Sequence, residues 1–316
     1  MRSWAKTILL GGKSGGKAWA RLMTVITPVY TGMAVLKFIG ILPVIAGWFR
    51  PAMKYFGLPG DAALALVLGN FLNLYSAIGV IASLKLTAGP LTVLALMLLF
   101  SHSQLLESSV FFQIRTKYGI IWAIRLVVSL AAGYGLHFLL APVAPAAADA
   151  TRAGVHSTLS TALVEYASGL ASLALKMLLV LVAIFILLEV VRRLRWLSRS
   201  LALVHRVTGF MGFSREAGLP LLAGVVFGIV FGAGLITSSV EEQALDRKQV
   251  LLVSVFLALC HGIIEDTGLM LVLGADPFWI SVPRLVLAIP AVILANWLYE
   301  ARRRRNTGAA FPTTPV

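Results

Sequence analysis

Cysteine is almost missing from this 316-residue chain: Cys260 is the only one. No internal disulfide can form, and the redox compartment cannot be read from it. Acidic residues are scarce as well, with 13 Asp and Glu against 27 Lys and Arg, and charged residues make up only 13% of the chain. A working nucleotide loop is also lacking. Residues 11–17 read GGKSGGK, but Lys17 is followed by Ala18 where a metal-binding hydroxyl is needed, and no strand precedes the run. No serine or cysteine nucleophile stands in a recognised arrangement, so an enzyme is not expected, and no cofactor motif is present. The basic N-terminus has no small-residue cleavage site after a short apolar core, so it reads as retained.

What the chain does have is apolar sequence. Hydrophobic residues are 59% of the total and the mean hydropathy is +0.90. Apolar segments run over 24–49, 62–84, 90–115, 119–141, 169–191, 219–240, 250–273 and 281–299. Most reach the roughly 20 residues that span a bilayer as helix. The expected fold is an all-α integral membrane protein. The pI near 10.4 does not point to nucleic acid, because the cations flank apolar segments. The partners expected are the lipid bilayer and a small-molecule or ion substrate, with a homodimer left open.

Counting cations decides between topologies. If all eight segments cross, 13 Lys and Arg are cytoplasmic and 10 are outside. If 90–115 and 250–273 each return to the side they entered, the count becomes 18 against 5. Each of these two segments also has apolar arms of about eleven residues around a polar break, roughly 16 Å per arm. They are therefore predicted to be re-entrant hairpins, with three crossings per half. An odd number of crossings inverts the second half, and both termini lie on the cytoplasmic side of a bacterial inner membrane. The division predicted is a basic membrane-surface segment 1–23, a first repeat 24–141, an external linker 142–168, a second repeat 169–299 and a basic tail 300–316.

The halves share more than topology. His102 and His261, Glu107 and Asp266, and Arg125 and Arg284 recur at a fixed spacing of 159 residues. Gly69 and Gly228 fall in the same register. Ionisable groups are costly in lipid, so a doubled set marks a functional site. The substrate or ion site is expected to use His102, Gln104, Glu107, His261, Glu265 and Asp266. Asn70 and Asn73 share one helix face and are candidates to line a polar cavity. Arg125 is expected to clamp Glu107, and Arg284 to clamp Asp266 as its mirror copy. Glu265 has no acidic counterpart, since position 106 is Leu106. Histidine and carboxylate together suit proton exchange or a divalent cation, with His102, His261, Glu107 and Asp266 as the metal ligands. The freed amides at helix breaks suit an anion or a nucleoside-like solute.

The glycine-rich segment Leu221–Thr237 followed by Cys260–Thr267, and Leu64–Ala77 followed by Ser101–Ser109, resemble the Gate, or nucleoside-recognition, family. That family is known from ferrous-iron permeases, concentrative nucleoside transporters and spore-maturation membrane proteins. The resemblance implies a transport-type fold, although this chain has no GTP-binding domain. The function expected is a secondary-type permease with its site between two hairpin tips. The alternatives are a non-transporting partner subunit of an envelope or spore-assembly complex, and a divalent-metal (iron) permease.

Overall fold

The computed structural model describes residues 4–113, 118–140, 158–194, 196–229 and 245–307. These residues are helical, with no strand among them. Helix α1 (Trp4–Phe38) bends by 99° into α2 (Leu42–Met53). Short helices α3 (Ala62–Phe71) and α4 (Leu74–Ser83) follow, then α5 (Ala88–Ser101), α6 (Gln104–Gln113) and α7 (Tyr118–Leu140). The second half has α8 (Leu159–Arg193), α9 (Trp196–Thr208), α10 (Gly218–Phe227), α11 (Arg247–Leu259), α12 (Glu265–Leu273) and α13 (Pro277–Thr307). Spans 88–109, 118–140, 159–191 and 277–305 are each long and apolar enough to cross a membrane. Large apolar side chains such as Val127, Leu179 and Trp297 face outward, as lipid-facing surface requires.

The boundary drawn at residue 23 falls inside α1. The basic N-terminal segment is the start of a continuous 35-residue helix that packs antiparallel along α8. The GGKSGGK run explains the fit. A side-chain carbon at Gly11 would lie 2.5 Å from the Ile186 backbone, and one at Gly15 would lie 2.7 Å from that of Val182. These two small residues, four apart, let the helix backbones touch. Trp19 donates to the Ala174 carbonyl at 2.8 Å, and Arg193 lies over the Trp4 ring.

The predicted hairpins are misplaced. As α7 advances, its partners run steadily backwards through α6 and α5. Tyr118 meets Phe112, Arg125 meets Glu107 and Phe100, and Ser129 bonds the Met97 carbonyl. A hairpin at 90–115 would make α7 parallel to α5. Instead, α5 and α6 form one broken crossing. The same order holds for α13: Ser281 meets Thr267, Arg284 meets His261, and Glu300 pairs with Lys248. Segment 250–273 is therefore also a broken crossing.

The hairpin of the first half is α3–α4. A side-chain carbon placed on Gly69 would lie 3.0 Å from that of Ala77, eight residues later, so the chain has turned back on itself. Leu72 and extended Asn73 make the turn, and the Asn73 side chain caps α4 by accepting from the Ser76 amide. Each ten-residue arm is roughly 15 Å long, half the hydrocarbon thickness. In the second half α10 occupies the place of α3, and residues 230–244 lie outside the described ones.

Candidate functional site

The two broken crossings place their breaks side by side. At the first, the backbone amide of Ser103 donates to the Gly69 carbonyl at 2.7 Å. At the second, the amides of Gly262 and Ile263 donate to the carbonyls of Gly224 and Val225 at 3.2 and 2.9 Å. Each break is thus satisfied by protein, as non-helical backbone within a membrane requires. Ser103 and Gly262 carry the same left-handed backbone, with φ of 55° and 56°. They are equivalent positions in the repeat register.

His102 and His261 face one another across the junction. Their ring centroids are 5.1 Å apart and their Nε2 atoms 3.3 Å apart. In each ring Nδ1 bonds the carbonyl four residues back, Leu98 at 2.9 Å and Leu257 at 2.7 Å. A carbonyl only accepts, so Nδ1 carries the hydrogen and Nε2 of the neutral ring presents a lone pair. Glu107 brings Oε1 to 3.3 Å from His261 Nε2 and 3.6 Å from His102 Nε2. Asp266 Oδ2 stands 3.9 Å from both. These two carboxylates sit in the first turns of α6 and α12, where the helix dipoles favour negative charge.

The two arginines behave differently. Arg125 is 1% exposed and makes the expected clamp, with Nη1 2.5 Å from Glu107 Oε2. Its Nε and Nη2 donate to the carbonyls of Phe100 and His102, both at 2.8 Å. Arg284 is 0% exposed and donates Nη2 to the His261 carbonyl, matching one of those bonds. Its Nε and Nη1 have no hydrogen-bond partner, and neither has Asp266 Oδ2. The mirror clamp expected between Arg284 and Asp266 is not made. Asp266 is one methylene shorter than Glu107, and its carboxylate lies against the Gly262 Cα and leans to the histidines.

The other candidates divide. Gln104 is buried at the break with its amide nitrogen unpartnered. Glu265 accepts from the Tyr75 hydroxyl at 3.5 Å, linking α12 to the hairpin arm α4. Asn70 donates to the Leu66 carbonyl at 2.7 Å and Asn73 caps α4, so both side chains serve local backbone. The sequence reading missed Tyr75, and it missed the hairpin carbonyls that hold the breaks. Tyr75 had one signal: a single aromatic hydroxyl on a largely apolar arm, two residues past the turn.

Comparison with known proteins gives three findings. Residues 19–120 match the family model Gate, described as nucleoside recognition. The chain is 29% identical over 301 residues to the uncharacterized membrane protein YvoD of Bacillus subtilis (strain 168), covering 92% of this chain and 93% of that one. No solved structure matches.

Proposed function

We propose that this membrane protein, with its Gate (nucleoside-recognition) domain over residues 19–120, is a secondary-type permease whose cargo is a cation. One observation carries the reading. Two Nε2 lone pairs and two carboxylates, all acceptors, converge at the junction of two broken crossings. Such a cluster of acceptors suits a cargo that carries positive charge, whether a proton or a metal ion.

The architecture supports alternating access. The antiparallel packing of α1 on α8 and the equivalent breaks fit two halves of opposite orientation. Sites between inverted halves can be exposed to either side by rocking one half on the other. The N- and C-terminal cations fit a cytoplasmic location for both ends, in an inner membrane. The acceptors and guanidiniums form no nucleophile–base pair, so transport fits the site better than catalysis.

Reconstitution tests the reading. The purified chain in liposomes should move cations across the bilayer in a concentration-driven assay. The His102→Ala/His261→Ala double variant should insert and elute normally yet lose uptake. Full transport by that variant would remove the site from the mechanism.

A further inference from the structure

We infer that the cluster is a four-coordinate site for a divalent transition-metal ion, with His102 Nε2, His261 Nε2, Glu107 Oε1 and Asp266 Oδ2 as ligands. The inference deepens the permease reading and rests on it for the claim that the metal is cargo.

Geometry comes first. A tetrahedral ion with bonds of about 2.1 Å separates its ligand atoms by about 3.4 Å. The His–His and His261–Glu107 separations are both 3.3 Å, and His102–Glu107 is 3.6 Å. The ligand atoms of these three residues all lie within 4.8 Å of one another. Asp266 Oδ2 is 3.9 Å from both rings, about half an ångström too far from each, and it falls outside this three-residue group, so it must swing inward to take the fourth corner. One proton would bridge only two of these four acceptors, whereas one metal ion uses all of them.

Outer contacts point the same way. A metal-bound imidazole donates its other N–H to a carbonyl or carboxylate, which fixes the ring and its tautomer. Both histidines do this through Nδ1. A ligating carboxylate is in turn held by a hydrogen-bond donor. Arg125 holds Glu107 through Oε2 and leaves Oε1 toward the rings. Asp266 Oδ2 is buried and bonds nothing, as a ligand reserved for an ion would. Two imidazoles with two carboxylates suit zinc, cobalt or ferrous iron better than magnesium or calcium, which take all-oxygen shells.

Charge sets the strength. The two carboxylates are already balanced by two buried guanidiniums, so a bound dication adds two uncompensated charges. The site should therefore bind its ion weakly enough to release it readily, as conduction requires.

The test uses the full chain in detergent, stripped of metal and titrated with Co²⁺. One Co²⁺ per chain is expected, with the intense visible bands of tetrahedral coordination. His102→Ala and His261→Ala should each weaken binding at least about tenfold. Zinc-edge X-ray absorption on the wild type covers the case in which a variant misfolds. It should show about four N or O neighbours near 2.0–2.1 Å, imidazole among them. Absence of binding, a six-oxygen shell, or Co²⁺ binding unchanged in the double histidine variant would overturn the assignment. Metal bound but never moved in liposomes would overturn the permease reading and leave the site standing. Cation transport without metal binding would do the reverse.

Discussion

At the residue scale, the two halves solve one problem with different side chains. Both breaks need a left-handed residue, supplied by Ser103 in one and Gly262 in the other. Beside Ser103, Glu107 reaches Arg125 with its longer side chain. Gly262 presents no side chain, and the shorter Asp266 folds down onto its Cα; a carbon added there would lie 2.5 Å from Asp266 Oδ2. Gly262→Ser is therefore expected to displace Asp266 and strain the backbone, lowering stability by about 1–3 kcal/mol. Ser103→Gly should change stability by no more than about 1 kcal/mol. Thermal unfolding of the two purified variants in detergent, with and without Co²⁺, checks both values. A Gly262→Ser protein as stable and as responsive to Co²⁺ as the wild type would count against the packing argument. The histidines, acids and arginines were legible in the sequence because they repeat at one spacing. The pairing of Arg284 was not legible, because spacing cannot show that one missing methylene leaves a clamp open.

At the element scale, the all-α membrane character was legible and the position of the return was not. The reason lies in the charges. Moving the return from 90–115 to 62–84, with its counterpart at 219–240, changes the cation count from 18 against 5 to 19 against 4. Only Lys85, Arg247 and Lys248 change sides, so the positive-inside rule barely separates the two arrangements. Polar residues interrupt both segments, Asn70 and Asn73 in one and His102 to Gln104 in the other. Tertiary packing decides, since the α3–α4 tip supplies the carbonyl that satisfies Ser103. The placement is testable because the native cysteine, Cys260, is buried. Lys85→Cys and Tyr118→Cys, made singly, should react with an impermeant thiol reagent from opposite sides of the membrane. Labelling from one side would restore the hairpin to 90–115. The α1–α8 contact makes a second prediction at this scale. Gly15→Leu forces the helices apart where the backbones touch, and should cost about 1–3 kcal/mol by the same unfolding measurement.

At the scale of the whole molecule, the asymmetry between the two arginines becomes informative. Two halves with equivalent breaks should have equivalent clamps, yet only Arg125–Glu107 is closed. Exchanging the roles of the halves gives a second arrangement, with Arg284–Asp266 closed and Arg125–Glu107 open. Alternating access needs two such states, close in energy, with the cargo ligands shared between them. Buried Arg284 carries two unmade hydrogen bonds in the present state, a cost that the second state removes. The two arginines should then respond differently to replacement. Arg125→Met strips Glu107 of its partner and should destabilise the protein by about 3–5 kcal/mol. Arg284→Met removes a guanidinium that bonds one carbonyl, and should cost far less in the same unfolding assay. Its effect should fall on turnover. Co²⁺ affinity should hold or rise, because no metal ligand changes and one nearby positive charge is removed, while liposome transport drops about tenfold or more, the equivalent of roughly 1.4 kcal/mol lost from the second state. Equal destabilisation by the two replacements, or full transport by Arg284→Met, would mean that the open clamp is a fixed feature of the fold. A loss confined to transport would assign Arg284 as the counter-charge that takes Asp266 when the ion leaves.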